Sequence, residues 1–296
     1  MSIVDNIIGI IKGKKKEEVL PETDVESKNI VYKYLPPERL TYLHDELLRI
    51  TQPSALNDPF EFLSVPRTDD EFAHAYKKAY DEALLKINKS KVSEIEKSKQ
   101  REAASISFHR VMINLLNKRE YGHKRQSPEE IRENLDKTVG ILSLSRRWDS
   151  TLMWSHYASS HQGFCVGFNF QAPFFSERMQ DKTLVSVKYS DSRVPMAATE
   201  LEVFDLWCTK STKWQYEAEE RIGVLLTEAN QKIECIPLDI YLYTVPHFLV
   251  KEIIVGLNIS TNNFILVKEF CAKNEISLYQ TKASNIRFDM NREKCN

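Results

Sequence analysis

Residues 141–170 read ILSLSRRWDSTLMWSHYASSHQGFCVGFNF, and the alternation inside this stretch decides the fold. From Ile141 to Ser145, Leu142 and Leu144 fall on one side and Ser143 and Ser145 on the other, which is the period of a strand. Asp149 or Ser150 then offers an oxygen to the unpaired amides of a short helix. On that helix Met153, His156 and Tyr157 stand at i, i+3 and i+4 and share a face. Gly163 is suited to the left-handed conformation that ends such a helix. A second strand follows, with Phe164, Val166, Phe168 and Phe170 pointing one way and Cys165, Gly167 and Asn169 the other. Strand, helix and strand leave hydroxyls, an imidazole and a phenol at one end. A purely structural unit needs less polar chemistry than that.

Outward from this unit, Ile30 to Tyr34 (IVYKY) reads as a strand with Tyr32 and Tyr34 on one face. Pro36 and Pro37 open a helix whose buried side is expected to be Leu40, Leu43, Leu47 and Leu48, with a short strand at 49–51. Asn57, Asp58 and Pro59 suit a turn, since Asn and Asp side chains bond local amides; Asp58 and Glu61 are the acids of that loop with functional potential. Residues 68–139 shift to Lys, Glu, Ala and Leu and predict a helical insertion with helices near 69–88, 90–119 and 128–138. Ser127-Pro128-Glu129-Glu130 is a helix start. Further on, a strand is expected at 184–189, a helix at 198–213, a partial strand at 236–243, a buried strand at 251–257, a helix at 261–273, a strand at 276–280 and an edge at 284–289. The fold class is α+β: a mixed, mostly antiparallel split sheet with flanking helices and the insertion.

The second stretch with chemistry is Lys213 to Val224, KWQYEAEERIGV. Read as extended chain, it puts Glu217, Glu219 and Arg221 on one face. Three charges in register cannot lie under an apolar layer without a large desolvation cost, so that face is expected to look into water or a polar cleft. A charged edge strand is the structural alternative.

Composition sets the outer limits. The 296 residues are 42% hydrophobic and 28% charged, ordinary for a soluble globular chain, and the net charge of -1 argues against a broadly basic nucleic-acid footprint. Eight glycines and no glycine-rich loop disfavour phosphate cradles of that type. The five cysteines have no metal-ligand spacing and read as reduced thiols, consistent with a cytoplasmic setting. Residues 1–28 read as an arm outside one α+β domain spanning 29–296. Its stripe of Ile3, Ile7, Ile8 and Ile11, followed by lysines, suits docking on its own domain or a sister subunit ahead of contact with anionic lipid.

The blocks IVYKY, NDPFE, LSLS with MWSHYASSHQGFCVGF, KWQYEAEER and VKEIIVGLNIS resemble, in that order, the bacterial family known as domain of unknown function 2971, over about residues 29–289. That resemblance implies a setting among mobile-element and phage-defence genes. The succession of elements is also similar in layout to the ADP-ribosyltransferase superfamily. This likeness implies NAD as a substrate, Tyr32 or Lys33 on the first strand, Ser143 and Ser145 on the central one, and Tyr157 stacking on nicotinamide. Glu219 would then face the ribose and its developing positive charge, while Glu217 would orient or deprotonate the acceptor. The acceptor would be a nucleic acid or a protein. The first strand carries neither the Arg nor the His usual there. Arg221 is the third catalytic candidate, and Tyr34, Asn57, Asp58, Glu61, Trp154, His156 and Trp214 complete the candidate site, with no bound metal.

Two other classes use the same residues. A phosphodiesterase would gather Asp58, Glu61, Glu217, Glu219 and His156 around Mg²⁺ or Mn²⁺, with Lys213 and Arg221 on the phosphate. A sensor or binding module would build a pocket from Trp154, Tyr157 and Trp214.

Overall fold

The computed structural model describes residues 29–121, 126–171, 184–196 and 200–295; the arm at 1–28 lies outside them. In chain order the elements are β1 (Ile30–Leu35), α1 (Tyr42–Asp45), β2 (Leu47–Ile50), α2 (Asp69–Lys89), α3 (Glu94–Tyr121), α4 (Pro128–Asp136) and β3 (Val139–Ser145). Then come α5 (Thr151–Tyr157), β4 (Phe164–Asn169), β5 (Val185–Ser186), β6 (Lys188–Ser190), α6 (Glu200–Cys208), β7 (Thr209–Ser211) and β8 (Glu219–Leu225). The chain ends through β9 (Gln231–Ile233), β10 (Ile240–Thr244), β11 (Val250–Val255), α7 (Thr261–Lys273), β12 (Ser277–Ala283) and β13 (Met290–Lys294).

Eight strands form the main sheet in the order β13-β12-β11-β4-β1-β3-β8-β5, while β2-β10-β9 and β6-β7 make two small ones. Within the main sheet β11 and β12 run parallel and the other neighbours antiparallel. The fold is therefore α+β with a mixed, largely antiparallel split sheet. The split lies between β1 and β3. These strands pair only at Tyr32 and Ser145, whereas β1 and β4 pair along six positions and β3 and β8 along seven. Nearer its start, β3 bridges Thr51 through Ile141, with amide bonds of 2.9 and 2.8 Å.

The period of two places the core. Val31, Leu35, Phe164, Val166 and Phe168 are buried on one face, together with β11, α1 and α7; Tyr32, Tyr34 and Cys165 pack on the other against α5. Thr68 and Glu71 close a capping box on α2, and Ser127 and Glu130 do the same on α4. Ser150 caps α5, while Asp149 pairs with Arg147 instead.

Several expectations are corrected. Glu46 turns left-handed (φ 58°) and ends α1, so Leu47 and Leu48 belong to β2 and not to the helix. The helix expected at 198–213 ends at Cys208, because Thr209–Ser211 pairs in parallel with β6. The last edge strand is 290–294, not 284–289. Gly163 does not provide a left-handed cap; Ser159, Ser160 and His161 take positive φ instead. What Gly163 supplies is space, since a Cβ there would sit 2.1 Å from the Leu35 carbonyl oxygen. Gly256 is equally confined, 2.0 Å from the His161 carbonyl, and its amide bonds Gly163 at 2.9 Å. Gly163→Ala is expected to destabilise the fold by roughly 3 kcal/mol, as a backbone overpacked by one carbon. Urea denaturation reads this directly, and a midpoint equal to wild type would refute the close approach.

Candidate functional site

Five charged side chains meet in the interior beside the sheet split. Glu219 and Arg221 come from β8, Lys210 from β7, Glu217 from the 3-10 turn Thr212–Glu217 and Glu61 from the loop after β2. All are buried, Arg221 completely. Arg221 grips Glu219 with two nitrogens, each at 2.9 Å, and also bonds Glu61 and the Trp207 carbonyl (3.0 Å). Planar guanidinium against carboxylate in this two-point geometry is the strong form of the ion pair. The Lys210 ammonium has three protons and faces three acids: Glu217, Glu219 at 3.1 Å and Glu61 at 3.2 Å. Glu61 Oε1 has that ammonium as its neighbour but no hydrogen bond of good geometry.

The charges explain how burial is tolerated. Desolvation pushes the Glu219 carboxyl up, but Arg221 and Lys210 pull it further down, to about 2, so it stays ionised. Burial dominates at Glu61, whose carboxyl is held above its ordinary value against the same two cations. Burial opposes charging of Lys210 and Arg221, yet the acids around them raise both above their ordinary values.

The backbone reaches this arrangement through strain. Extended chain does not run from 216 to 222: residues 212–217 wind as a 3-10 turn, and Ala218 is left-handed at φ 42°. The period-two reading that joined Glu217 to Glu219 and Arg221 therefore fails at Ala218. Glu217 arrives by the turn instead, and the charged face is closed over rather than open to water. Phe62, next to Glu61, is also left-handed at φ 58°. Non-glycine residues in this region cost on the order of 1–3 kcal/mol each and persist only where surrounding structure dictates them.

A cavity of about 220 Å³ lies where β1 and β3 part, lined by Tyr32, Lys33, Tyr34, Ser143, Ser145, Asn57, Tyr157, Lys210, Glu217 and Glu219 among others. Asn57 donates to the Tyr157 hydroxyl, which donates to Glu217. Burial and the facing Glu217 carboxylate raise the Tyr157 phenol well above its ordinary value, so it remains a donor. Ser143 Oγ is buried in the wall beside Glu219, whose carboxyl it helps hold down, without a hydrogen bond of good geometry. Lys33 reaches the Ser143 carbonyl at 2.8 Å, and burial pushes its ammonium down to about 8. Each carboxylate has about four lone-pair sites. Glu219 spends three on Arg221 and Lys210, and Glu217 spends two, on Tyr157 and Lys210.

Other candidate residues have structural duties. Ser145 Oγ donates to the Glu217 carbonyl (2.6 Å) and accepts from the Arg147 amide, fixing the turn. The hydroxyls of Tyr32 and Tyr34 are spent on Glu252 and the Arg147 carbonyl. Trp154 is fully buried core, edge-on to Tyr34, and does not wall the cavity. His156 is exposed beside Tyr216 and does not line the cavity. Asp58 accepts from the Phe60 amide in a tight turn. Trp214 lies under the Lys210 ammonium at 5.1 Å.

The donor set does not fit a divalent metal. The Lys210 ammonium occupies the point where Glu61, Glu217 and Glu219 converge, while Asp58 and His156 are turned to other tasks. Among the described residues no three His, Cys, Asp or Glu side chains are placed to hold a metal ion, and no helix is long and apolar enough to cross a membrane. Lys210, the centre of the cluster, carried no signal in the sequence beyond its place between Trp207 and Trp214.

No curated protein and no solved structure matches the chain. A family model does match, over residues 153–222, which run from α5 to the middle of β8 and contain Tyr157, Lys210, Glu217, Glu219 and Arg221. It bears out the resemblance to DUF2971, described as a protein of unknown function.

Proposed function

We propose that the cavity binds the nicotinamide riboside portion of NAD and that the chain cleaves its N-glycosidic bond, acting as an ADP-ribosyltransferase-like or NAD-hydrolysing enzyme. The observation that carries this reading is the pair of acids, Glu217 and Glu219, lining a cavity walled by the Tyr157 phenol. At about 220 Å³ it is below the ~300–1,000 Å³ of pockets that enclose drug-sized ligands, so a base and its sugar enter while the rest of a dinucleotide stays outside.

Glycosidic cleavage of this kind needs negative charge beside the anomeric carbon as the bond breaks. The electron pair of the C–N bond leaves with nicotinamide, whose ring loses its positive charge, and the sugar becomes an oxocarbenium ion. Glu219, kept ionised by Arg221 and Lys210, supplies a fixed negative field. Glu217, with more free lone pairs, accepts the proton of the incoming water or acceptor hydroxyl as the new C–O bond forms. Tyr157 holds Glu217 in place. Arg221 is a positioning residue. The family resemblance suggests the setting, an effector of prokaryotic anti-phage defence in the cytoplasm.

Incubation of the full chain with NAD is expected to release nicotinamide, measured by chromatography. Glu217→Gln preserves size and most hydrogen bonding, and should slow release by about 10²-fold or more while leaving the fold intact. Absence of release from NAD and from nicotinamide mononucleotide, or equal rates for the variant, would overturn the proposal. The structural duty of the cluster is separable. Arg221→Leu should cost about 3–5 kcal/mol in urea denaturation, because it strands Glu219 and Glu61 in the interior. Glu219 adds a pH signature. Its folded value of about 2 lies below the ordinary 4.5, so its contribution is complete above pH 4.5 and is lost as pH falls toward 2. Wild type should lose more stability over that span than Glu219→Gln.

A further inference from the structure

We infer that Lys33 and Arg49, with Arg39 beside them, bind a phosphoryl anion at the edge of β3 where β1 and β2 part from it. On this side β3 meets β2 at a single bridge, Thr51 with Ile141, and β1 at a single pair, Tyr32 with Ser145. Ser143 lies midway between the two contacts and pairs only with Arg221 of β8, on the other side. Carried two residues on from the bridge, the antiparallel register would set Arg49 against Ser143. The ladder stops short of that pair, and the Ser143 carbonyl accepts from the Lys33 ammonium at 2.8 Å. A lysine thus enters a gap in the sheet whose other border is an arginine.

Charge identifies the ligand. Arg39 donates to the Leu47 carbonyl at 2.8 Å, which brings its guanidinium to β2 two residues from Arg49. Arg49 is half-buried, and its Nε is buried without a hydrogen-bond partner. A buried donor left unanswered is unfavourable, and an acceptor brought in from solvent relieves it. Among the described residues no acid lies within ion-pair distance of Lys33, Arg39 or Arg49. The acids next in sequence are engaged elsewhere: Asp45 accepts from the Leu47 amide at 2.9 Å and Glu46 from the His247 amide at 2.8 Å. Burial above all, then Arg49 and Arg39, push the Lys33 ammonium down, against the pull of Glu219 and Glu217. Like charges gathered this way are stabilised by an anion among them. A phosphoryl group has oxygens enough to meet a planar guanidinium at two points and an ammonium at a third. Lys33 and Thr51 line the cavity and Arg49 does not, which places the anion at its margin. Such a site stands whether or not the cavity cleaves NAD.

Isothermal titration calorimetry of the full chain with inorganic pyrophosphate is expected to show saturable binding. Arg49→Gln should weaken it about tenfold or more, as loss of charged hydrogen bonds does, with the urea midpoint unchanged. Lys33→Gln should weaken it as well, and Arg49→Lys should keep part of the affinity. Lys251→Gln, at an exposed position away from the gap, should bind as wild type does. Adenosine monophosphate and inorganic phosphate, each lost in Arg49→Gln, separate the sources: the tighter binder tells whether a nucleotide's phosphate or the free anion occupies the site. No binding of any of the three anions would overturn the site. Equal affinity in Arg49→Gln, or equal weakening in Lys251→Gln, would overturn it too, since the attraction would then be one of general charge.

Discussion

The two-point ion pair between Arg221 and Glu219 is the interaction on which the rest of the structure depends. A guanidinium without exposure survives only if its donors are answered, and here four of the five N–H groups are, by β8 itself, the loop carrying Glu61 and the end of α6. Each answering group must in turn be buried, which draws in Lys210 to balance the acids. Four separate chain segments are thereby fixed to one point. Left-handed Phe62 and Ala218 sit on two of those segments, and the cluster supplies the constraint that holds them there. Replacing the whole set by apolar residues of equal volume would serve stability as well or better in general.

Much of this was legible in the sequence wherever a period was uninterrupted. The alternation of Phe164, Val166 and Phe168 against Cys165 and Gly167, and of Tyr32 and Tyr34 against Val31 and Leu35, gives the two central strands and their faces. Ser127-Pro128 and Thr68 mark helix starts by chemistry that needs no tertiary partner. Legibility stops where a single residue leaves the period for a tertiary reason. Glu46 turns left-handed, which moves Leu47 and Leu48 from helix to strand, and Ala218 breaks the pairing rule between Glu217 and Glu219. Gly163 has the residue type expected of a helix cap, yet the requirement comes from the Leu35 carbonyl, far away in sequence. Lys210 was unreadable for a similar reason. A lone lysine resembles any solvated cation until three distant acids are brought around it.

The split between β1 and β3 connects the cluster to the cavity. Strands paired at one position cannot satisfy their facing backbone groups along the rest of their length. Lys33 meets part of that demand by donating to the Ser143 carbonyl, and Ser145 Oγ ties the other side to the turn at Glu217. The opening is thus bordered by side chains with hydrogen-bonding capacity instead of by a ladder. A sheet fully paired at this point would have no room for a ligand. The same divergence that leaves backbone groups unpaired brings Ser143 Oγ and the two acids to one surface.

Saturation of the acids assigns them different capacities. Glu219, bound by two cations, is a poor proton acceptor because its conjugate acid is disfavoured down to about pH 2. It is well suited to holding a constant charge, since nothing in its surroundings must rearrange when positive charge appears opposite it. Glu217 has a neutral phenol on one oxygen and a single ammonium on the other, and Asn57 donates to that phenol. Proton acceptance and charge stabilisation place opposite demands on a carboxylate's basicity. Under the proposed reaction the two acids, separated by one left-handed alanine and with unequal numbers of cations, would take one demand each.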